Sequence, residues 1–217
     1  MNQTMIGWVK NPDGSQGYTL NSKTGCLNHT PEGLCLDGLF HCYAFRLANG
    51  RLRARYLANR NRIPFEHGAR GADGKIDIRN DPFYPRFWPE RLEEPYQIKK
   101  PTGFFLDDMS DWMGDYWPEE WTEAELQMMR DNPQHRFYTL TKQAQNLPRW
   151  SPFPDNCWVG ISVTNNKQMN GALYFNPDYK AKIKFLSFEP LLERIDKSRL
   201  AMYRYDWPII GACTGTL

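Results

Sequence analysis

The amino-acid sequence predicts an α/β fold, a partial (βα)6 TIM-like barrel of parallel strands with a loop-rich insertion. Three observations carry this prediction. Five apolar runs of strand length recur: GFFLD at 103–107, RFYTLT at 136–141, CWVGISV at 157–163, KIKFLSF at 182–188 and DWPIIG at 206–211. Each is almost continuously apolar rather than alternating, as strands are when both faces of a parallel sheet are covered. Helical patterns fill the gaps, and strands alternating with helices give βαβ units.

In chain order, GYTLN at 17–21 supplies a first strand and brings the strand count to six. Residues 42–60 (CYAFRLANGRLRARYLANR) read as helix with a break at Gly50. Residues 61–101 form a long insertion of loop character, including the aromatic stretch FYPRFWPERLEEPY at 83–96. Residues 122–132 (TEAELQMMRDN) are the clearest helix, with Thr122 placed to cap it and Glu125 three residues on, the pattern of a capping box. Weaker helical patterns follow at 142–149, 166–173 and 191–202, the last a mixture of loop and helix.

The 217 residues suit one domain spanning 1–217. Lys plus Arg number 27 against 25 for Asp plus Glu, and a net charge of +2 names neither nucleic acid nor a membrane surface as partner. No apolar run approaches the roughly 20 residues that span a bilayer, and the opening MNQTMIGWVK lacks a signal peptide's apolar core. The expected compartment is the cytoplasm, without a membrane partner. There, five cysteines read as thiols or metal ligands rather than a disulfide framework. The sequon Asn28-His29-Thr30 needs secretion and is set aside.

In folds of this kind the ligand site lies at the carboxyl ends of the strands. The polar residues there are Asp107, Asp108, Ser110 and Asp111, then Thr141 and Lys142, then Ser162, Thr164 and Asn165, then Ser187 and Glu189, and finally Thr214. Any one of them is what a solvated loop or a helix cap supplies. A Lys, a Glu before Pro and an acidic cluster on one rim are together a candidate site.

Cys26, Cys35 and Cys42 lie in a loop at about 24–44, with eight and then six residues between them, among Gly25, Gly33 and Gly38. Glycines let the loop fold back so that three thiolates meet. Soft ligands of this kind suit zinc or an iron–sulfur cluster. A closed zinc site would recruit His29 or His41 as fourth ligand. A cluster held by three cysteines leaves one iron open to substrate or cofactor. Spacing alone leaves both readings open, beside a third in which the cysteines are buried and unligated. Cys157 begins an apolar strand and reads as a small buried hydrophobe; Cys213 falls in the last loop, on the rim.

Thr24-Gly25-Cys26 followed by Cys42-Tyr43-Ala44 resembles the cysteine loop of radical S-adenosylmethionine proteins, specifically a phage-associated branch of unknown function. That branch shows motifs similar to FLDDMSDWMGDYWPEEW at 105–121, HRFYTLTK at 135–142, FPDNCWVGISVTN at 153–165, KFLSFEPLL at 184–192 and WPIIGACTG at 207–215. The resemblance implies a partial (βα)6 barrel whose Cys26, Cys35 and Cys42 ligate a 4Fe–4S cluster, with S-adenosylmethionine on the open iron. It also implies an electron donor and reductive cleavage of the cofactor to a 5′-deoxyadenosyl radical. The acceptor of that radical is an unidentified substrate, with nucleic acid or a nucleotide the expectation. By rim position, Asp107 and Asp108 would meet the cofactor's ammonium, and Ser162 and Thr164 its ribose or carboxylate. Lys142 and Glu189 would face cofactor or substrate as catalytic groups.

The chain departs from the family in two places. The second cysteine gap is six residues where two are usual, so that residues 36–41 (LDGLFH) either loop outward or alter the cluster. The chain also stops at Leu217, shortly after the sixth strand, where a further helical segment is expected; a truncated gene would read this way. Two other functions compete, a zinc-binding structural or binding module and a non-catalytic barrel that binds a nucleotide-like ligand.

Overall fold

Alternate residues of each strand leave the sheet on opposite sides, and both sides are covered. Phe104, Leu106, Phe137, Val159, Ile161, Leu186 and Phe188 enter the main core on one side, while Phe105 and Tyr138 meet Val9, Ile6 and Trp8 on the other. The computed structural model describes residues 1–64, 80–196 and 205–211. Its strands are β1 (Asn2–Gln3), β2 (Tyr18–Leu20), β3 (Lys23–Thr24), β4 (Arg86–Phe87), β5 (Gly103–Leu106), β6 (Arg136–Thr141), β7 (Cys157–Ser162), β8 (Ile183–Phe188) and β9 (Trp207–Ile210). The helices are α1 (Tyr43–Asn49), α2 (Arg53–Ala58), α3 (Glu119–Asp131) and α4 (Asn166–Phe175).

The main sheet has seven strands in the order β1-β2-β5-β6-β7-β8-β9. All six expected strands pair in parallel, from β2 through β9, and β1 adds an antiparallel edge. Trp8 shows how strongly this sheet bends. Its ring lies 4.9 Å from Phe105, 5.8 Å from Tyr138, and 6.0 Å from both Phe185 and Trp207, which stand on β5, β6, β8 and β9. In a flat sheet β5 and β9 would be about 19 Å apart. The sheet therefore curls around Trp8, as in a partial barrel, and its described ladders end at β1 and β9 without joining them.

Several expectations change in detail. The break at Gly50 separates α1 from α2 as expected, and α4 begins where Asn165 accepts the Gln168 amide at 2.9 Å. The capping box does not form. Pro118 precedes α3, Glu119 and Glu120 occupy its first turn, and Thr122 and Glu125 are buried inside the helix. The pattern at 142–149 gives two 3-10 turns, Ala144–Asn146 and Pro148–Trp150, because Pro148 has no amide to continue a helix. Of the pattern at 191–202, residues 191–196 are not helical and the rest lies outside the described residues. The insertion at 61–101 is more than loop: its β4 pairs antiparallel with β3 at the base of the cysteine loop.

Candidate functional site

Cys26 is placed by a buried ionic network one turn of chain before it. Lys23, fully buried, reaches Glu125 of α3 at 2.7 Å and Asp107 at 3.9 Å, and donates to the Trp112 carbonyl at 2.9 Å and Thr122 Oγ1 at 3.3 Å. Glu125 also accepts from Ser22 Oγ at 2.7 Å and Trp112 Nε1 at 3.0 Å, so its carboxylate is fully used. Asp107, at φ +59°, accepts the Lys23 amide at 2.8 Å. Burial, then the Glu125 charge, push its carboxyl well above the ordinary range. This network fixes β3, and Gly25 at φ +93° then turns the chain so that Cys26 N bonds to the Phe83 carbonyl at 3.1 Å.

The six residues between Cys35 and Cys42 close on themselves. Leu39 N bonds to Cys35 O at 2.7 Å and Cys35 N to Phe40 O at 2.9 Å. Backbone bridges join Leu34 to His41 and His29 to Cys35. Cys42 N then meets the Gly33 carbonyl at 2.9 Å, which returns Cys42 to the chain just before Cys35, where it precedes α1. The segment at 36–41 forms a compact hairpin whose turn packs against Thr164 and Gln168.

Lys142, the residue after β6, stands beside the cysteine loop, its Nζ 5.9 Å from the Phe40 ring. Burial works against the Lys142 charge, but Cys35, Asp111, Cys42 and Cys26 outweigh it and raise its pKa. Asp111 ties this corner together, accepting Thr141 Oγ1 at 2.5 Å and the Lys142 amide at 3.0 Å. Burial pushes the Cys26 thiol up to about 12, with Asp111 adding to the shift, and burial raises Cys35 as well. Buried thiols of this kind become thiolates only with added positive charge, which a bound metal supplies.

Beside the loop, buried His29 Nε2 has no hydrogen-bond partner, and the buried Tyr116 hydroxyl has the Cys26 sulfur next to it. Tyr116 lies in the cluster against which Cys26 packs and is coupled to its sulfur. His29 sits between Phe45 and Phe83, with ring centroids at 5.0 and 5.3 Å and Nδ1 on the Thr30 carbonyl; His41 is exposed. By donor chemistry alone Cys26, Cys35 and Cys42 are candidate ligands for a soft metal centre. Among the described residues, no three His, Cys, Asp or Glu side chains form a group that could hold a metal ion.

The other rim residues divide. Asp108 lies near Tyr43, whose hydroxyl donates to its backbone carbonyl, and it accepts Asn21 Nδ2 at 2.5 Å. Burial raises its pKa to about 6. Glu189 receives Trp8 Nε1 at 3.2 Å and Ser187 Oγ at 3.1 Å, which joins the rim to the ring inside the curl. Asp107 turns its carboxyl to the Lys23 network, where Oδ1 accepts the Lys23 amide and buried Oδ2 has no hydrogen-bond partner. Ser162 is buried beside Ser187 at the end of β7. Thr164, also buried, contacts the cysteine hairpin at the Asp37 carbonyl. Cys157 is fully buried in the main core, the place expected of it. Cys213 and Thr214 lie outside the described residues. Trp8, Lys23 and Tyr116 went unread in the sequence, and only the clustering of aromatics at 112–121 pointed toward the last.

A curled, mostly parallel sheet with a three-cysteine loop at the carboxyl ends of its strands defines the class, an α/β protein with a candidate site on that rim. The chain belongs to the family described as "Protein of unknown function (DUF5131)", whose family model matches residues 3–217. No curated protein matches it. Among solved structures, spore photoproduct lyase complexed with a dinucleoside spore photoproduct is similar at TM-score 0.46 and 12% identity, over 87% of this chain and 51% of that one. A cysteine-to-serine mutant of the same lyase gives 0.44 and 13%, over 88% and 50%. The chain spans about half the length of these structures. No helix among the described residues is long and apolar enough to cross a membrane.

Proposed function

We propose that Cys26, Cys35 and Cys42 hold a 4Fe–4S cluster and that the protein is a radical S-adenosylmethionine enzyme. One observation supports the reading: the hairpin at 35–40 closes on itself, so that Cys42 N returns to the Gly33 carbonyl, and Lys142 Nζ stands 5.9 Å from the ring of Phe40 in that hairpin. The motif resemblance supports it independently. When bound, cluster and cofactor together would supply reductive cleavage to a 5′-deoxyadenosyl radical.

The chain's own part is charge and placement. Lys142 offsets the negative charge of the thiolates. Asp108, with a pKa near 6, is ionised at neutral pH and offers an acceptor to the cofactor's ammonium. Glu189, held by Trp8 and Ser187, offers a second polar group on the same rim. An external electron donor and a separate substrate, for which a nucleotide or nucleic acid is the working candidate, complete the proposal. The test is anaerobic reconstitution with iron and sulfide, reduction with dithionite, and an assay of S-adenosylmethionine cleavage. Formation of 5′-deoxyadenosine, lost in Cys35→Ala, is the expected result; an iron-loaded protein that leaves the cofactor intact would refute the enzymatic reading.

A further inference from the structure

The hairpin that closes the six-residue gap is tied to the sheet through Asp37. Its backbone carbonyl accepts Gln168 Nε2 at 2.9 Å, and Thr164 Oγ1 lies 3.1 Å away. Thr164 Oγ1 is also 2.8 Å from Gln168 Oε1, and the Thr164 amide donates to the same oxygen at 2.6 Å. The hydroxyl has one proton, so it serves Asp37 or Gln168 at a time, while Gln168 grips Asp37 throughout. Thr164 is itself fixed, 0% exposed, with its carbonyl receiving the Leu192 amide at 3.1 Å. On the other side, the Asp37 carboxylate accepts Asn28 Nδ2. Contact is close at the turn: a Cβ on Gly38, at φ +150°, would stand 2.9 Å from Thr164 Oγ1.

These contacts join the turn between two candidate ligands to the start of α4, which Asn165 caps. We infer that Thr164 and Gln168 are positioning residues, a clamp that holds the hairpin against the rim and thereby sets Cys35 relative to Cys42. The inference deepens the proposed cluster reading and assigns Thr164 a role other than contact with the cofactor. It also explains how a gap of six residues is tolerated: the added segment is held by side chains of the sheet rather than left to move.

The test uses the full chain without metal. Cys35 is buried, 8% exposed, and Cys157 is fully buried in the main core, so alkylation at the two thiols, mapped by peptide mass spectrometry, separates hairpin release from general unfolding. Gln168→Met together with Thr164→Val is expected to speed alkylation of Cys35 about tenfold, the equivalent of one or two lost hydrogen bonds. Cys157 should be unchanged, and Thr164→Ser should behave as wild type. If the double variant unfolds, Gln168→Met alone carries the same expectation. An unchanged Cys35 rate, or equal acceleration at Cys157, overturns the clamp. After anaerobic reconstitution, the same variants should lose iron to a chelator faster than wild type. A wild-type chain that binds no iron, with Cys35 still released in the variants, defeats the cluster reading and leaves the clamp standing.

Discussion

Glu125→Gln should be among the most damaging conservative substitutions in this protein. The glutamate oxygen 2.7 Å from Lys23 Nζ is worth about 6 kcal/mol of gross attraction at an effective dielectric of 20. After the substitution the other carboxyl near the ammonium is Asp107, 3.9 Å away and pushed toward its neutral form. The amide group must also face either Ser22 Oγ or the cluster of Trp112 Nε1 and Lys23 Nζ, and the latter position opposes donors to donors. Removing one member of a buried pair costs about 3–5 kcal/mol, and that is the expected loss here. Lys23→Met should cost a similar amount, because it leaves the Glu125 carboxylate buried without its ammonium. The double variant Lys23→Met with Glu125→Leu should lose much less than the sum of the singles, since no unpaired pair member remains. Urea unfolding followed by circular dichroism measures all three. Singles costing under about 1 kcal/mol, or strict additivity, would refute the reasoning.

Two further predictions follow from the same geometry. Gly25→Ala would put a Cβ 2.4 Å from the Phe83 carbonyl oxygen at φ +93°; a thermal melt should show a loss above about 2 kcal/mol, with reduced iron uptake because Cys26 is the next residue. Asp108, raised from 3.8 to about 6, binds more protons folded than unfolded between those values. It therefore removes up to about 3 kcal/mol as pH rises through that window. Asp108→Asn keeps an acceptor for Asn21, so it should match wild type near pH 4 and exceed it at pH 8 in urea unfolding; equal stability at both would contradict the assignment.

The strands were legible because two-sided burial leaves its mark in each run: Phe104 and Phe105 are both apolar although they face opposite cores. The break at Gly50 and the start of α4 were legible for local reasons, a glycine and a capping Asn165. Thr122 and Glu125 misled because the spacing of a capping box is also one face of a helix. What decided their role was Lys23, far away in sequence and buried against them. Trp8 sits in an N-terminal segment with no periodicity, and its position inside the curl comes from tertiary contact alone. The hairpin did have a signal, the Asp37-Gly38 pair, a turn dipeptide in the middle of the wide gap. The anchoring of that turn by Thr164 and Gln168 had none.

The central claim, that Cys26, Cys35 and Cys42 together hold a cluster, is tested most directly by iron and acid-labile sulfide analysis of the anaerobically reconstituted full chain beside its single Cys→Ala variants. The account predicts about four irons and four sulfides per wild-type chain, with a brown colour. Both should fall sharply in Cys26→Ala, Cys35→Ala and Cys42→Ala and persist in Cys157→Ala. A colourless wild-type chain without iron, or one zinc per chain in its place, would contradict it.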